Sequence, residues 1–420
     1  MVEQTTLWDI SSPKFNIIND ASALREDEIP EKIDFREEQS NILKNYIFGP
    51  PIWGRPGYHL FCQGTTGTGK TLLIKKWAEI MQTKLVVLNL EPTTKYIYLN
   101  CSRVSGPTQA AYEVLKQVNP FPRISNDVNY YMTDFFKEID EKYKFVIVVL
   151  DEVDKILPTN ASKSDALFYA LVRAREMGEL KNCYISLLCV ANDTFATQKL
   201  SDGTRSSFGV NVAFFPRYNI NEIYQILLHR AERALFPRAI ILDVIKEIAV
   251  YSANTGGDCR KALALLRITS DLAEEAKKTQ LSSEYFHLAK NFYEKEMYKK
   301  EIEDLSMHEQ LALYSLIELQ MNNQRVGKPH PTFAQTYKCY LAFCEKYKKE
   351  PVTDRQVREY FKGMIRTNFV IESMEKGSMY YTVIIDPVMC TKLLLDYIQK
   401  IEREGEAFTK IMGVTNVKTE

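Results

Sequence analysis

Residues 64–71 read Gly-Thr-Thr-Gly-Thr-Gly-Lys-Thr, and few strings of this length restrict a fold so tightly. The segment fits G-x-x-x-x-G-K-[ST], in which glycines let backbone N–H groups close around phosphate oxygens between a buried strand and a helix. Gly64, Thr65, Thr66, Gly67, Thr68 and Gly69 would form the cradle. Lys70 would reach the β- and γ-phosphates, and the Thr71 hydroxyl would sit on Mg²⁺. Further along, residues 145–152 read Phe-Val-Ile-Val-Val-Leu-Asp-Glu. A buried strand ending in Asp151-Glu152 offers one carboxylate for the Mg²⁺ shell and one to orient or deprotonate water. Taken singly, the glycines fit an ordinary strand-to-helix loop, and the acids fit a helix cap. Together they predict a chain that binds ATP or GTP and hydrolyses it.

A length of 420 residues leaves room for two or three domains, each with its own core. The balance of 45% hydrophobic and 26% charged residues is that of a folded soluble protein. Lys+Arg and Asp+Glu both number 54, so any affinity for nucleic acid must be local. The eight cysteines form no C-x-x-C pair and several fall in apolar runs, which predicts buried reduced thiols and an intracellular setting. With only five histidines, none bracketing a cysteine pair, no zinc site is expected. Apolar runs all fall short of a membrane span and no signal pattern opens the chain, so the expectation is cytoplasmic, with no membrane partner.

After a polar segment, Asp34–Tyr46 has the pattern of an amphipathic helix, which the turn-forming stretch 49–57 should close. Strand-like runs follow at Tyr58–Gln63, Lys95–Cys101, Phe145–Leu150, Tyr184–Asn192 and Asn211–Phe215, alternating with helical ones such as Thr71–Met81. That alternation predicts an α/β domain over 1–220, a five-stranded parallel sheet with helices on both faces and ligand at its carboxyl edge. Residues 221–303 show apolar spacing of three to four and read as a helical lid. Over 304–405, three helices precede a β-hairpin, the pattern of a winged helix with its third helix in the DNA major groove. Residues 406–420 form a tail.

Three further features carry chemistry. Asn192 ends an apolar strand at the same edge as Asp151 and could hold the attacking water or read the γ-phosphate, beyond the turn role common for Asn. Arg260 opens an otherwise apolar helix, a local misfit for a cation that makes sense beside a phosphate. Residues 325–366 hold ten Lys/Arg against four Asp/Glu, and Arg355, Arg358, Lys362 and Arg366 recur at three-to-four spacing on one helix face. Such a face is either simply solvated or, within a winged helix, a contact for duplex DNA.

In order along the chain stand Ile29-Pro30-Glu31, Phe35-Arg36-Glu37-Glu38-Gln39, the phosphate loop, Tyr98-Leu99-Asn100-Cys101, Leu150-Asp151-Glu152-Val153-Asp154, Ala191-Asn192-Asp193, Arg205-Ser206-Ser207-Phe208, Phe215-Pro216-Arg217-Tyr218 and Gly257-Asp258-Cys259-Arg260-Lys261-Ala262. This series resembles the AAA+ replication initiators of archaea, the origin-recognition and helicase-loader proteins related to the eukaryotic origin-recognition complex. The resemblance implies an AAA+ domain, a lid and a C-terminal winged helix. It implies ATP rather than GTP as the nucleotide, with Asn192 as sensor 1 and Arg260 as sensor 2. Tyr218 and Ile226 would flank the adenine with Ile29 and Pro30, Glu152 would activate water, and Arg205 would face a neighbouring subunit's nucleotide. It also implies a helical insertion within 102–142 that touches DNA. The implied activity is slow hydrolysis of ATP to ADP as a switch on origin-bound DNA, with other initiator subunits and the replicative helicase as partners. The protein would be associated with the nucleoid.

One departure is the wing tip. The family's wing is often rich in Gly and Arg, whereas residues 375–378 here read Glu-Lys-Gly-Ser, which predicts a weaker wing contact. A signalling ATPase whose winged helix only packs, or a nucleotide-gated transcription regulator, would share much of this pattern.

Overall fold

The computed structural model describes residues 16–26, 28–158, 165–209, 211–328, 330–366, 369–375, 378–383 and 390–396. Five strands, β1 (Leu60–Gln63), β2 (Thr94–Asn100), β3 (Phe145–Asp151), β4 (Tyr184–Ala191) and β5 (Val212–Phe214), form one parallel sheet in the order β2-β3-β4-β1-β5. Side chains alternate across the sheet. On β3, Val146, Val148 and Leu150 face one core, and Ile147 and Val149 face the other. Both faces are therefore covered by helices, as a sheet of near-continuous apolar strands requires.

The chain enters through α1 (Glu37–Leu43), a wide turn and α2 (Gly49–Ile52). The stretch expected to turn at Gly49 instead continues helically, because Pro50 and Pro51 sit in the first turn of α2, where proline's missing N–H costs nothing. Next comes α3 (Lys70–Val87), which runs past the expected end at Met81. Two helices, α4 (Pro107–Lys116) and α5 (Val128–Lys142), lie between β2 and β3 where the insertion was expected. Then follow α6 (Ala166–Arg173) and α7 (Asp202–Phe208).

The lid consists of α8 (Ile220–Ala234), α9 (Leu242–Asn254) and α10 (Cys259–Glu275). A reciprocal capping box between Asn219 and Glu222 starts α8. The segment 16–25 belongs to the lid as well. Glu274 accepts N–H bonds from Asn16, Ile17 and Ile18 at 2.7, 2.7 and 3.0 Å, and Ile18 bridges to Leu235. All of this lies within one compact unit ending at Ala289.

The second unit begins at Lys290, within α11 (Ser283–Asp304). It contains α12 (Met307–Arg325), α13 (Phe333–Lys346), α14 (Asp354–Arg366) and the hairpin β6 (Val370–Glu375) and β7 (Ser378–Val383). Leu311, Leu316, Phe333, Tyr340, Val357, Phe361, Val370 and Tyr381 share its core. Three helices and an antiparallel hairpin make the expected winged helix. The central wing-tip residues, 376–377, and the tail 406–420 lie outside the described residues. Among the described residues no helix is long and apolar enough to cross a membrane.

Candidate functional site

The phosphate loop leaves β1 and enters α3 as its pattern requires. Gly64, Gly67 and Gly69 have φ of 158°, 70° and 86°, so the last two sit in the left-handed region. Each is also crowded. A Cβ on Gly64 would lie 2.4 Å from the Phe215 carbonyl, one on Gly67 1.7 Å from Asp258 Oδ1, and one on Gly69 2.9 Å from the Tyr218 hydroxyl. The Lys70 ammonium, 5% exposed, donates to the carbonyls of Gly64 and Thr65 at 2.7 Å each. Thr68 Oγ1 donates to the Thr65 carbonyl, whereas the buried Thr65 hydroxyl has no partner among the described residues. Bare loop glycines, a buried ammonium and an unsatisfied hydroxyl fit an oxygen-rich anion.

Burial depresses the Lys70 pKa to about 8, against the opposing pull of Asp151 and with a further push from Arg260. A bound phosphate would restore the ammonium. Binding above pH 8 should then take up a proton, and affinity should fall as pH rises from 8 towards 10. Calorimetry in buffers of different ionisation enthalpy measures that uptake; proton release on binding would contradict it.

The acidic pair ends β3 in register, Asn100 opposite Asp151. Asp151 is 2% exposed and Oδ2 accepts from the Thr71 hydroxyl at 2.9 Å and the Tyr98 hydroxyl at 2.8 Å. Oδ1 accepts the Glu152 N–H at 2.9 Å. The Thr71–Asp151 pairing is a hydroxyl and carboxylate set suited to Mg²⁺. Glu152 has φ of 54°, unusual for a side-chain-bearing residue, and Oε1 accepts from Asn100 Nδ2 at 3.2 Å. Asn192 is the first residue after β4. Its N–H and that of Asp193 donate to Asp154 at 2.6 and 3.1 Å, so Asp154 anchors the turn that carries the amide.

The lid meets the loop directly. Asp258 caps α10 by accepting the Arg260 N–H at 2.8 Å, and the Cys259 N–H donates to the Gly67 carbonyl at 3.2 Å. Arg260 thus opens a helix whose N-terminus abuts the phosphate loop. A cavity of about 780 Å³ runs from there between lid and sheet. Gly67, Gly69, Thr71, Tyr218 and Arg260 line its phosphate end, and Ile29, Pro30 and Ile226 are also in its wall. Eight of the expected residues thus share the lining of one cleft, whereas Gly64, Thr65, Thr66, Thr68, Lys70, Asp151, Glu152 and Asn192 are not part of that lining. Tyr218 presents one ring face only, because the Arg36 guanidinium stacks 3.7 Å from its centroid. Glu28 ties the roof of the cleft to α8 through Arg230, and through Arg233 at 2.5 Å.

Several residues of the site went unassigned in the sequence. Arg36, 2% exposed, donates to the carbonyls of Thr68 (2.9 Å), Phe35 (2.6 Å) and Pro216 (2.8 Å), knitting loop, entry segment and the stretch that follows β5. It stands in the segment 35–39 that carries part of the resemblance, but nothing local in the sequence gives it this role. Tyr98 and Asn100 did leave a signal, as polar side chains of one parity ending the strand beside the acids. Arg205 lies apart from this cleft's lining. It is half-exposed on α7 and paired with Asp202.

On the winged helix, Arg355, Arg358 and Lys362 are exposed on α14 while Val357, Phe361 and Met364 are buried, so the charged and apolar faces separate as the spacing predicts. Arg358 stacks on Phe333 at 3.7 Å and Lys362 pairs with Glu359 at 2.7 Å. The Arg366 side chain lies outside the described residues.

Residues 60–214 match the AAA family of ATPases, residues 224–291 the Cdc6 AAA+ ATPase-type lid domain, and residues 300–386 the C-terminal winged helix domain of CDC6. An ORC1-type DNA replication protein of Pyrococcus abyssi is 30% identical over 348 residues, 82% of this chain and 80% of that one. ORC1-type DNA replication protein 10 of Halobacterium salinarum is 27% identical over 94% of this chain and 98% of its own. The solved structure of the Aeropyrum pernix ORC1 protein in complex with DNA has the same fold, with a TM-score of 0.75 at 23% identity, covering 91% of this chain and 97% of that one. An AAA ATPase domain, its lid and its winged helix stand here in the order those relatives share, and the chain belongs to the family of ORC1-type DNA replication proteins.

Proposed function

We propose that this protein is a DNA-replication initiator that binds duplex origin DNA and is switched by whether ATP or ADP fills the cleft. The observation that carries the reading is the direct seat of α10 on the phosphate loop, from Cys259 N–H to the Gly67 carbonyl at 3.2 Å. A phosphate bound there would meet loop, Arg260 and helix N-terminus together, so the nucleotide's charge would set the lid's position. Lys70, Thr71 and Asp151 would hold nucleotide and Mg²⁺, which supplies charge neutralisation for the phosphates when bound. Glu152 would activate water, and Asn192 and Arg260 would sense the γ-phosphate. Turnover in such a switch is slow, because product identity carries the information. Arg205 would face the nucleotide of a neighbouring initiator subunit, and the replicative helicase would be recruited to the assembled site.

DNA would be gripped by α14 and by the insertion. The loop between α4 and α5 exposes Phe121 and Ile124 at 92% and 91%, apolar tips suited to a groove or base step. Because Arg358 also packs on Phe333, the clean test removes Arg355 and Lys362. Arg355→Ala with Lys362→Ala should weaken duplex binding, and the slope of log affinity against log salt should fall by about 0.9 for each phosphate these two side chains neutralise. An unchanged slope would leave the winged helix as a packing module. Genome-wide occupancy then separates the remaining readings: origins support the initiator, and promoters would support a transcription regulator.

A further inference from the structure

Beside the Thr71–Asp151 pair stands a residue with no assigned part. Tyr98 sits on β2, its hydroxyl 2.8 Å from Asp151 Oδ2, the same oxygen that accepts the Thr71 hydroxyl at 2.9 Å. We propose that Tyr98 is a positioning residue for Mg²⁺, holding Asp151 so that its carboxylate and the Thr71 hydroxyl meet the metal in one fixed arrangement. The proposal rests on the reading of residues 64–71 and 151 as a nucleotide–metal site.

A half-buried tyrosine needs a partner for its hydroxyl, and any acceptor would satisfy that need. The choice of acceptor is what carries the inference. Asp151 has three donors among the described residues: the adjacent Glu152 N–H, Thr71 and Tyr98. The first is the next residue along the chain, and Thr71 is the residue whose oxygen would turn to the metal. Tyr98 alone among the three holds the carboxylate from a neighbouring strand without also being asked to ligate. Its own position is clamped. Gln117, following α4, donates to the Tyr98 carbonyl at 3.1 Å and accepts its N–H at 3.3 Å, closing the open edge of β2 at that residue. An outer hydrogen bond of this kind orients a ligand without touching the metal.

The test is binding rather than turnover. Fluorescent ADP is titrated against wild type and Tyr98→Phe, first in EDTA and then across a Mg²⁺ series. In EDTA the two should bind alike. The Mg²⁺ concentration giving half the metal-dependent gain in affinity should rise about tenfold in the variant. Tyr98→His, which keeps a ring and a donor, should recover part of that shift. An unmoved Mg²⁺ midpoint would overturn the proposal, as would equal losses with and without metal, which mark general loosening. Collapse of both variants in thermal unfolding would assign Tyr98 to the fold and overturn it too. If wild type itself gains nothing from Mg²⁺, the fault lies in the metal reading of Thr71 and Asp151, and the inference falls with it.

Discussion

Lys70→Ala should abolish measurable binding of ATP and ADP while leaving the fold intact. The ammonium is spent on two loop carbonyls at 2.7 Å, in a site buried enough to lower its pKa to about 8. Those bonds hold the loop ready, and a phosphate competes for the same protons with a full negative charge. A charge-assisted hydrogen bond contributes about 1.5–3 kcal/mol, so two of them amount to a hundredfold or more in affinity. Stability should change little. Alanine leaves two carbonyls without a donor, yet it also relieves the burial of a cation. Adenosine, which lacks phosphates, should bind the variant as it binds wild type. Titration calorimetry with all three ligands decides the matter, and undiminished ATP affinity would remove the phosphate-loop assignment.

The sheet was legible because β1, β3 and β4 are largely apolar, buried runs, and a strand covered on both faces has little other way to read, while the more polar β2 and the short β5 followed from the alternation of strands and helices. The ends of three such runs, at Gly64, Asp151 and Asn192, mark one carboxyl edge of the sheet from the sequence alone. What the sequence hid were residues whose role lies in a partner distant along the chain. Arg36 bonds the carbonyl of Thr68 and that of Pro216, and no period or motif links those positions. Asp154 resembles one more acid after the pair, and only the bend of the chain brings the Asn192 N–H to it at 2.6 Å. The helix ends were blurred for a local reason. Gly-Pro-Pro reads as a turn until Pro50 and Pro51 occupy a first helical turn. On α14 the charge spacing was plain, but the stacking of Arg358 on Phe333 was not, since that contact joins two helices.

Glu152→Gln should cut ATP hydrolysis by about a hundredfold to ten-thousandfold, the span of a lost general base, and leave ATP affinity close to wild type. Affinity should survive because, in the proposed site, Lys70 and Thr71 rather than Glu152 would hold the phosphates. Geometry supports the role of base. The backbone of Glu152 is held at φ of 54°, a conformation that costs on the order of 1–3 kcal/mol and persists only where surrounding contacts enforce it. Asn100 holds its carboxylate at 3.2 Å. A carboxylate held by an amide donor is aimed, and its rotation is restrained. Asn100→Ala should then change the rate of hydrolysis without altering binding, whereas Glu152→Gln should lock the ATP state. In the locked variant, DNA affinity with ATP should stay at its initial value through a time course in which wild type drifts to its ADP value. Multiple-turnover hydrolysis and DNA binding followed in parallel test both halves. Hydrolysis persisting at the wild-type rate would move the base to another residue, and drift of the locked variant would uncouple nucleotide state from DNA affinity.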